Sequence, residues 1–183
     1  MKEQFAQESE GLREALQNVE EFHAQIEKAV LCIKEAFARG NRLYTAGNGG
    51  SAAEAQHLAE ELLGRYKNAR KSYPAISLTA DGTTLTCIGN DFGFENIFAR
   101  QIEGLGQKGD VLVVLSTSGD SKNLVRAAAQ ALKMGVTVIA LVGRKGVLRE
   151  IADLVIEAPS DTNARVQELH LHAIHLMCHA FEV

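Results

Sequence analysis

The stretch "VLVVLSTSGDSKNLV" (residues 111–125) decides the fold. Five aliphatic residues in a row, 111–115, carry no polar side chain, as a strand does when both its faces are buried. The run stops at Ser116. Five of the six positions 116–121 are hydroxyl residues or glycine, and a helix-like pattern starts at Lys122. Strand, small polar loop and helix in succession form the repeating unit of a parallel α/β sheet.

The same texture extends outward in both directions. Further strands are predicted at 42–47, 75–78, 136–142 and 153–158, with helices at 51–66, after 121, at 145–152 and at 163–183. Residues 1–39 show helical spacing, as one helix or two, and Gly40 is a natural stop. The expected architecture is a single α/β domain over 1–183. A helical segment (1–40) precedes a three-layer α/β/α sandwich (41–183) with a mainly parallel five-stranded sheet.

The chain has 183 residues, 46% apolar and 23% charged, with a net charge of −4. That suits one globular domain with a real core. There is no basic block, so neither nucleic acid nor a membrane surface is an expected partner. No apolar run reaches spanning length, and the first residues lack the apolar core of a signal peptide. Cys32, Cys87 and Cys178 have no metal-motif spacing and sit in apolar context, so they read as buried thiols of a reducing, cytoplasmic compartment.

Two loops that follow strands are unusual: "AGNGGSAA" after residue 45 and "STSGDS" from 116. In open parallel sheets, ligands sit beyond the carboxyl ends of the strands, where helix N-termini converge. Glycines let backbone approach a ligand, and first-turn amides attract anions. Ser116, Thr117, Ser118 and Ser121 therefore read as a neutral seat for phosphate. Plain helix capping by Ser118 or Asp120 is the alternative, but capping needs fewer hydroxyls. Neither loop ends in the Lys-Ser/Thr of a P-loop or spells GxGxxG, which disfavours a nucleotide. Ser51 is expected to cap the next helix, with Glu54 three residues on.

His57 and Glu61 are four residues apart on that helix and share a face, whereas Glu60 points about 100° away. Such a pair places an acid beside a base, binds a metal, or is simply solvated. The last helix concentrates His170, His172, His175 and His179. On spacing alone, His175 and His179 form the obvious metal pair.

"GNGGSAAEAQH", "EELLGRY", "YPAISL", "GNDFGFENIFARQI", "GDVLVVLSTSGDSKN" and "ARVQELH" together resemble the sugar-isomerase (SIS) domain family over nearly the whole chain. More narrowly they look like its phosphoheptose isomerases. The resemblance implies a flavodoxin-like fold and aldose–ketose isomerisation of sedoheptulose 7-phosphate to glycero-manno-heptose 7-phosphate. That is the first step toward the activated heptose of lipopolysaccharide core or capsule. It implies Glu61 as base and His175 as partner acid. One zinc per subunit would sit on His57, Glu61, Gln167 and His175. Substrate contacts would come from Asn48, Gly49, Gly50, Ser51, Glu61, Arg65, Asn90, Asp91, Gln167 and the four hydroxyls. It also implies a homotetramer with sites at subunit contacts.

Three points of tension accompany these expectations. Gln167 and His175 are eight residues apart, roughly 12 Å of helix, so one ion meets both only at near full stretch. Asn90 and Asp91 could instead form an Asx-turn before "FENIF", and Arg65 a surface ion pair. Where some relatives carry an acid, this chain has Ala164. A non-catalytic SIS-domain protein that associates with the replication initiator is the competing class. A pure binder has no need of Glu61 and His175 together.

Overall fold

The computed structural model describes residues 1–17 and 19–182. Five strands form one parallel sheet: β1 (Leu43–Gly47), β2 (Ala75–Ser77), β3 (Val111–Ser116), β4 (Thr137–Val142) and β5 (Leu154–Glu157), in the order β2-β1-β3-β4-β5. All five predicted strands are present. The helices are α1 (Lys2–Ala15), α2 (Glu20–Ala38), α3 (Gly50–Leu63), α4 (Gly82–Phe92), α5 (Ala99–Leu105), α6 (Lys122–Met134), α7 (Val147–Ile151) and α8 (Asn163–Ala180).

Alternating side chains of the central strands feed two cores. Val111, Val113 and Leu115 pack under α2, α3 and α8. Leu112 and Val114 pack under α5, α6 and α7. This two-sided burial is why β3 reads as an unbroken aliphatic run. Asp110 fastens the sheet where β1 and β3 begin. Its carboxylate is 2% exposed and accepts from the backbone N–H groups of Arg42 (2.8 Å) and Gln107 (2.9 Å) and from the Asn41 side chain. Replacing Asp110 with Ala strands these donors in a dry place. Denaturant melts should show a loss of about 2–4 kcal/mol.

Several local expectations need correction. The helix at 51–66 ends at Leu63, because the following "GRY" leaves helical geometry and residues of the 64–74 loop take over the last carbonyls. Of the two options left open for the N-terminal segment, the structure has two helices, with Gly11 inside the first. The last helix stops at Ala180, and Val183 lies outside the described residues. Residues 82–92 form a helix, so Asn90 and Asp91 occupy its final turn rather than an Asx-turn. "FENIF" begins as a 3-10 turn. Cys178 is buried, but Cys87 is exposed on α4.

Helix α1 buries none of its side chains, leaves Phe5 largely exposed, and is tied to α8 through the Arg165–Glu8 pair. Among the described residues no helix is long and apolar enough to cross a membrane.

Candidate active site

With the order β2-β1-β3-β4-β5, the sheet reverses its winding between β1 and β3, and a crevice opens there at the carboxyl ends of the strands. Both glycine- and hydroxyl-rich loops rim it. The first turns sharply because its glycines are obligatory. A Cβ on Gly47 would stand 2.3 Å from the Ser51 carbonyl oxygen, and Gly49 has φ +55°. Gly49, not Ser51, occupies the cap position of α3, and no side chain caps that helix. Ser51 is buried in the first turn. The outward amides of Gly50 and its neighbours are thus left for a ligand.

The second loop gathers its hydroxyls. Ser116 Oγ lies 3.5 Å from Ser118 Oγ and 3.4 Å from Ser121 Oγ, and it accepts the Gly119 N–H at 3.1 Å. Ser121 caps α6 by backbone position alone, which leaves its hydroxyl uncommitted to capping. The Asp120 carboxylate instead accepts the Val147 N–H of α7. Thr117 and Ser118 also line a cavity of about 270 Å³ toward Arg144 and Lys145. Across the crevice, Asn48 and Asn123 exchange reciprocal amide hydrogen bonds of 2.9 and 2.8 Å. Asn123 escaped the sequence reading. Its only signal is a polar residue on the sheet-facing side of an otherwise apolar helix stripe.

Helices α3 and α8 leave this end of the sheet side by side and in the same direction. Gly50 faces Gln167, so closely that a Cβ there would stand 2.0 Å from the Gln167 amide nitrogen. Further along, His57 Nε2 and His175 Nε2 are 3.2 Å apart. Glu61 Oε1 is 3.6 Å from His57 Nε2, and Glu60 Oε1 is 3.5 Å from His57 Nδ1. The expectation that only one of the two glutamates shares the histidine's face is therefore corrected. Positions i+3 and i+4 both flank residue i, one beside each ring nitrogen. Burial separates them: the Glu61 side chain is 14% exposed and that of Glu60 64%. Tyr66 stacks on His175, with ring centroids 5.8 Å apart.

These placements suit a metal ion in part. At zinc–nitrogen distances near 2.0–2.1 Å, two tetrahedral ligands sit roughly 3.3–3.4 Å apart, close to the His57–His175 spacing. Glu61 completes a nitrogen–nitrogen–oxygen donor set, and His57, Glu60 and Glu61 alone already cluster within 4.8 Å. The Gln167 amide lies against Gly50, at the start of α3. Arg65 is exposed and has no ion pair among the described residues. Asn90 and Asp91 are exposed and bond to each other at 2.7 Å. The structure does not join these three to the rest of the site. A groove of about 600 Å³ runs along the outer side of α3, from His57 and Glu60 to Ile76 on the β2 edge.

Two buried ionisable groups accompany the site helices. Burial lowers His170 to about 4, so it is neutral inside the protein at pH 7. Burial raises Glu54 to about 7, and its Oε2 has no partner. An unfolded carboxyl ionises near 4.5. Folded Glu54 therefore keeps its proton over that window, and its contribution to stability is lost as pH rises through 7. His170 acts in the opposite sense below pH 6.5. Glu54→Gln removes the alkaline penalty. Against the unmodified chain, the urea midpoint of Glu54→Gln should change little at pH 5.5 and show a gain of about 1–2 kcal/mol at pH 8.5 once partial solvation is allowed for.

Residues 4–143 match the SIS domain family. A phosphoheptose isomerase of Nitratiruptor sp. is 49% identical over 151 residues, covering 82% of this chain and 80% of that one. One from Helicobacter pylori (strain P12) is 40% identical over 183 residues, covering 100% and 94%. The solved phosphoheptose isomerase of Francisella tularensis superposes with a TM-score of 0.88 at 34% identity, over 97% of this chain and 94% of that one. The Neisseria gonorrhoeae structure gives 0.85 at 37% identity, over 98% and 95%. This chain belongs to the SIS-domain family and, within it, to the phosphoheptose isomerases.

Proposed function

We propose that this protein isomerises sedoheptulose 7-phosphate to glycero-manno-heptose 7-phosphate. The observation that carries the reading is the pairing of two features on one crevice. Hydroxyls and free first-turn amides converge at the β1/β3 mouth, and a half-buried carboxylate, Glu61, lies beside two histidines on the helices that start there. Amides and hydroxyls of Asn48, Gly49, Gly50, Ser51, Ser116, Thr117, Ser118 and Ser121 bind the anionic end without any cation. Gln167, held at Gly50, meets the sugar hydroxyls nearest that end.

Glu61 takes a proton from C1 as His175 gives one to the C2 oxygen, which yields a cis-enediol. His175 then takes the O1 proton as Glu61 returns its proton to C2, and the carbonyl now stands at C1. A base must lie within hydrogen-bond reach of the proton that it moves, and Glu61 has the low exposure to hold one away from water. His57, Glu61 and His175 would hold a zinc ion. When bound, such an ion polarises the carbonyl and stabilises negative charge on oxygen.

The single domain over 1–183, a cytoplasmic location, a homotetramer, and roles for Arg65, Asn90 and Asp91 belong to the same reading. The exposed face of α1 and the open groove beside β2 favour an assembly in which a neighbouring subunit brings those residues to the crevice. The product would feed activated-heptose synthesis. The test is incubation of purified protein with sedoheptulose 7-phosphate, with the product identified and the metal content measured. Binding without conversion would favour a non-catalytic sugar-phosphate binder.

A further inference from the structure

Helices α3 and α8 carry the reacting groups, and a buried ion pair locks their far ends together. The Arg70 guanidinium donates to the carbonyl of Glu61 at 2.5 Å and to that of Leu62 at 2.9 Å. It also donates to the Glu182 carboxylate at 3.2 Å. The other Glu182 oxygen accepts the backbone N–H groups of Asn68 (2.5 Å) and Lys67 (3.3 Å). The two side chains are 12% and 3% exposed. The bonds to Asn68 and then to Arg70 hold the Glu182 carboxyl below the usual carboxylate range.

These contacts join three parts of the site. Arg70 grips the peptide carbonyl of Glu61 itself. Glu182 lies just beyond the end of α8, two turns past His175. The same pair folds the 64–74 loop so that Tyr66 stacks on His175. Ion pairs so shielded from water are weak evidence for stability and are often retained because they fix one arrangement. A forked guanidinium that meets two carbonyls and a carboxylate fixes a direction that a lysine cannot reproduce.

We propose that Arg70 and Glu182 are positioning residues for the isomerisation. They set the separation between Glu61 on α3 and His175 on α8, and they leave phosphate recognition at the opposite end of both helices untouched. This rests on the assignment of Glu61 and His175 above.

The test uses the full chain and sedoheptulose 7-phosphate, with Arg70→Lys, Arg70→Ala, Glu182→Gln and the Lys/Gln double variant. Assays run well below each variant's unfolding midpoint, and rates are scaled to the folded fraction. We expect kcat to fall 10- to 100-fold in each single variant while KM stays within about threefold. The double variant should be no slower than the slower single, because the two residues act as one unit. Millimolar guanidinium should restore part of the kcat of Arg70→Ala, whereas a merely loosened fold would gain nothing from it. If Arg70→Ala does not fold, Glu182→Gln carries the test alone. Full kcat in the folded variants, or KM rising in step with the loss of kcat, would overturn the proposal. Absence of turnover by the unmodified chain would remove the underlying reading and this inference with it.

Discussion

Glu61→Gln should lower kcat about a thousandfold, within the range typical of losing a positioned general base, and leave KM for sedoheptulose 7-phosphate within a few-fold. The amide fits the same space and keeps an oxygen near His57, so the fold is expected to survive. Glu61 is only part-buried, and its contact in the structure is the 3.6 Å approach to His57 Nε2. Steady-state kinetics with a circular-dichroism control decide the matter. Glu60 supplies the contrast. It is equally close to the same ring but faces solvent, so Glu60→Gln should cost less than tenfold. If the two variants behaved alike, burial would not be what distinguishes the base.

Ser116→Ala/Ser121→Ala should produce the opposite pattern, a KM raised roughly 30- to 300-fold with kcat little changed. Each hydroxyl bound to a charged group contributes about 1.5–3 kcal/mol, and neighbouring losses are not fully additive. Ser116 also accepts the Gly119 N–H, so part of its effect passes through loop shape. Ser121 has no such duty, and Ser121→Ala alone isolates the direct contact. Inorganic phosphate competing against substrate gives the same readout without turnover. Unaltered KM and phosphate inhibition in the double variant would remove the seat.

The sheet was legible in the sequence because buried parallel strands are continuous aliphatic runs, as at 111–115 and 138–142. The phosphate seat was legible because four hydroxyls in six residues exceed what capping requires. The His57–Glu61 pair followed from helical spacing. What periodicity could not give was anything that depends on how two distant elements meet. His175, rather than His179, faces His57 because α3 and α8 run parallel in one register, and no local pattern encodes that. The resemblance supplied it. Arg70, Tyr66, Asn123 and Glu182 were invisible for the same reason: the partners that tie them into the site lie between 8 and 115 residues away. The Ser51 cap failed because a glycine turn tight enough for a ligand shifts the helix start by two residues.

The matched pair of carboxamides joining Asn48 to Asn123 works like a caliper set at one gauge. With the two rims of the cleft stapled together across 75 residues of sequence, the chain itself sets the spacing of the anion seat before a ligand arrives.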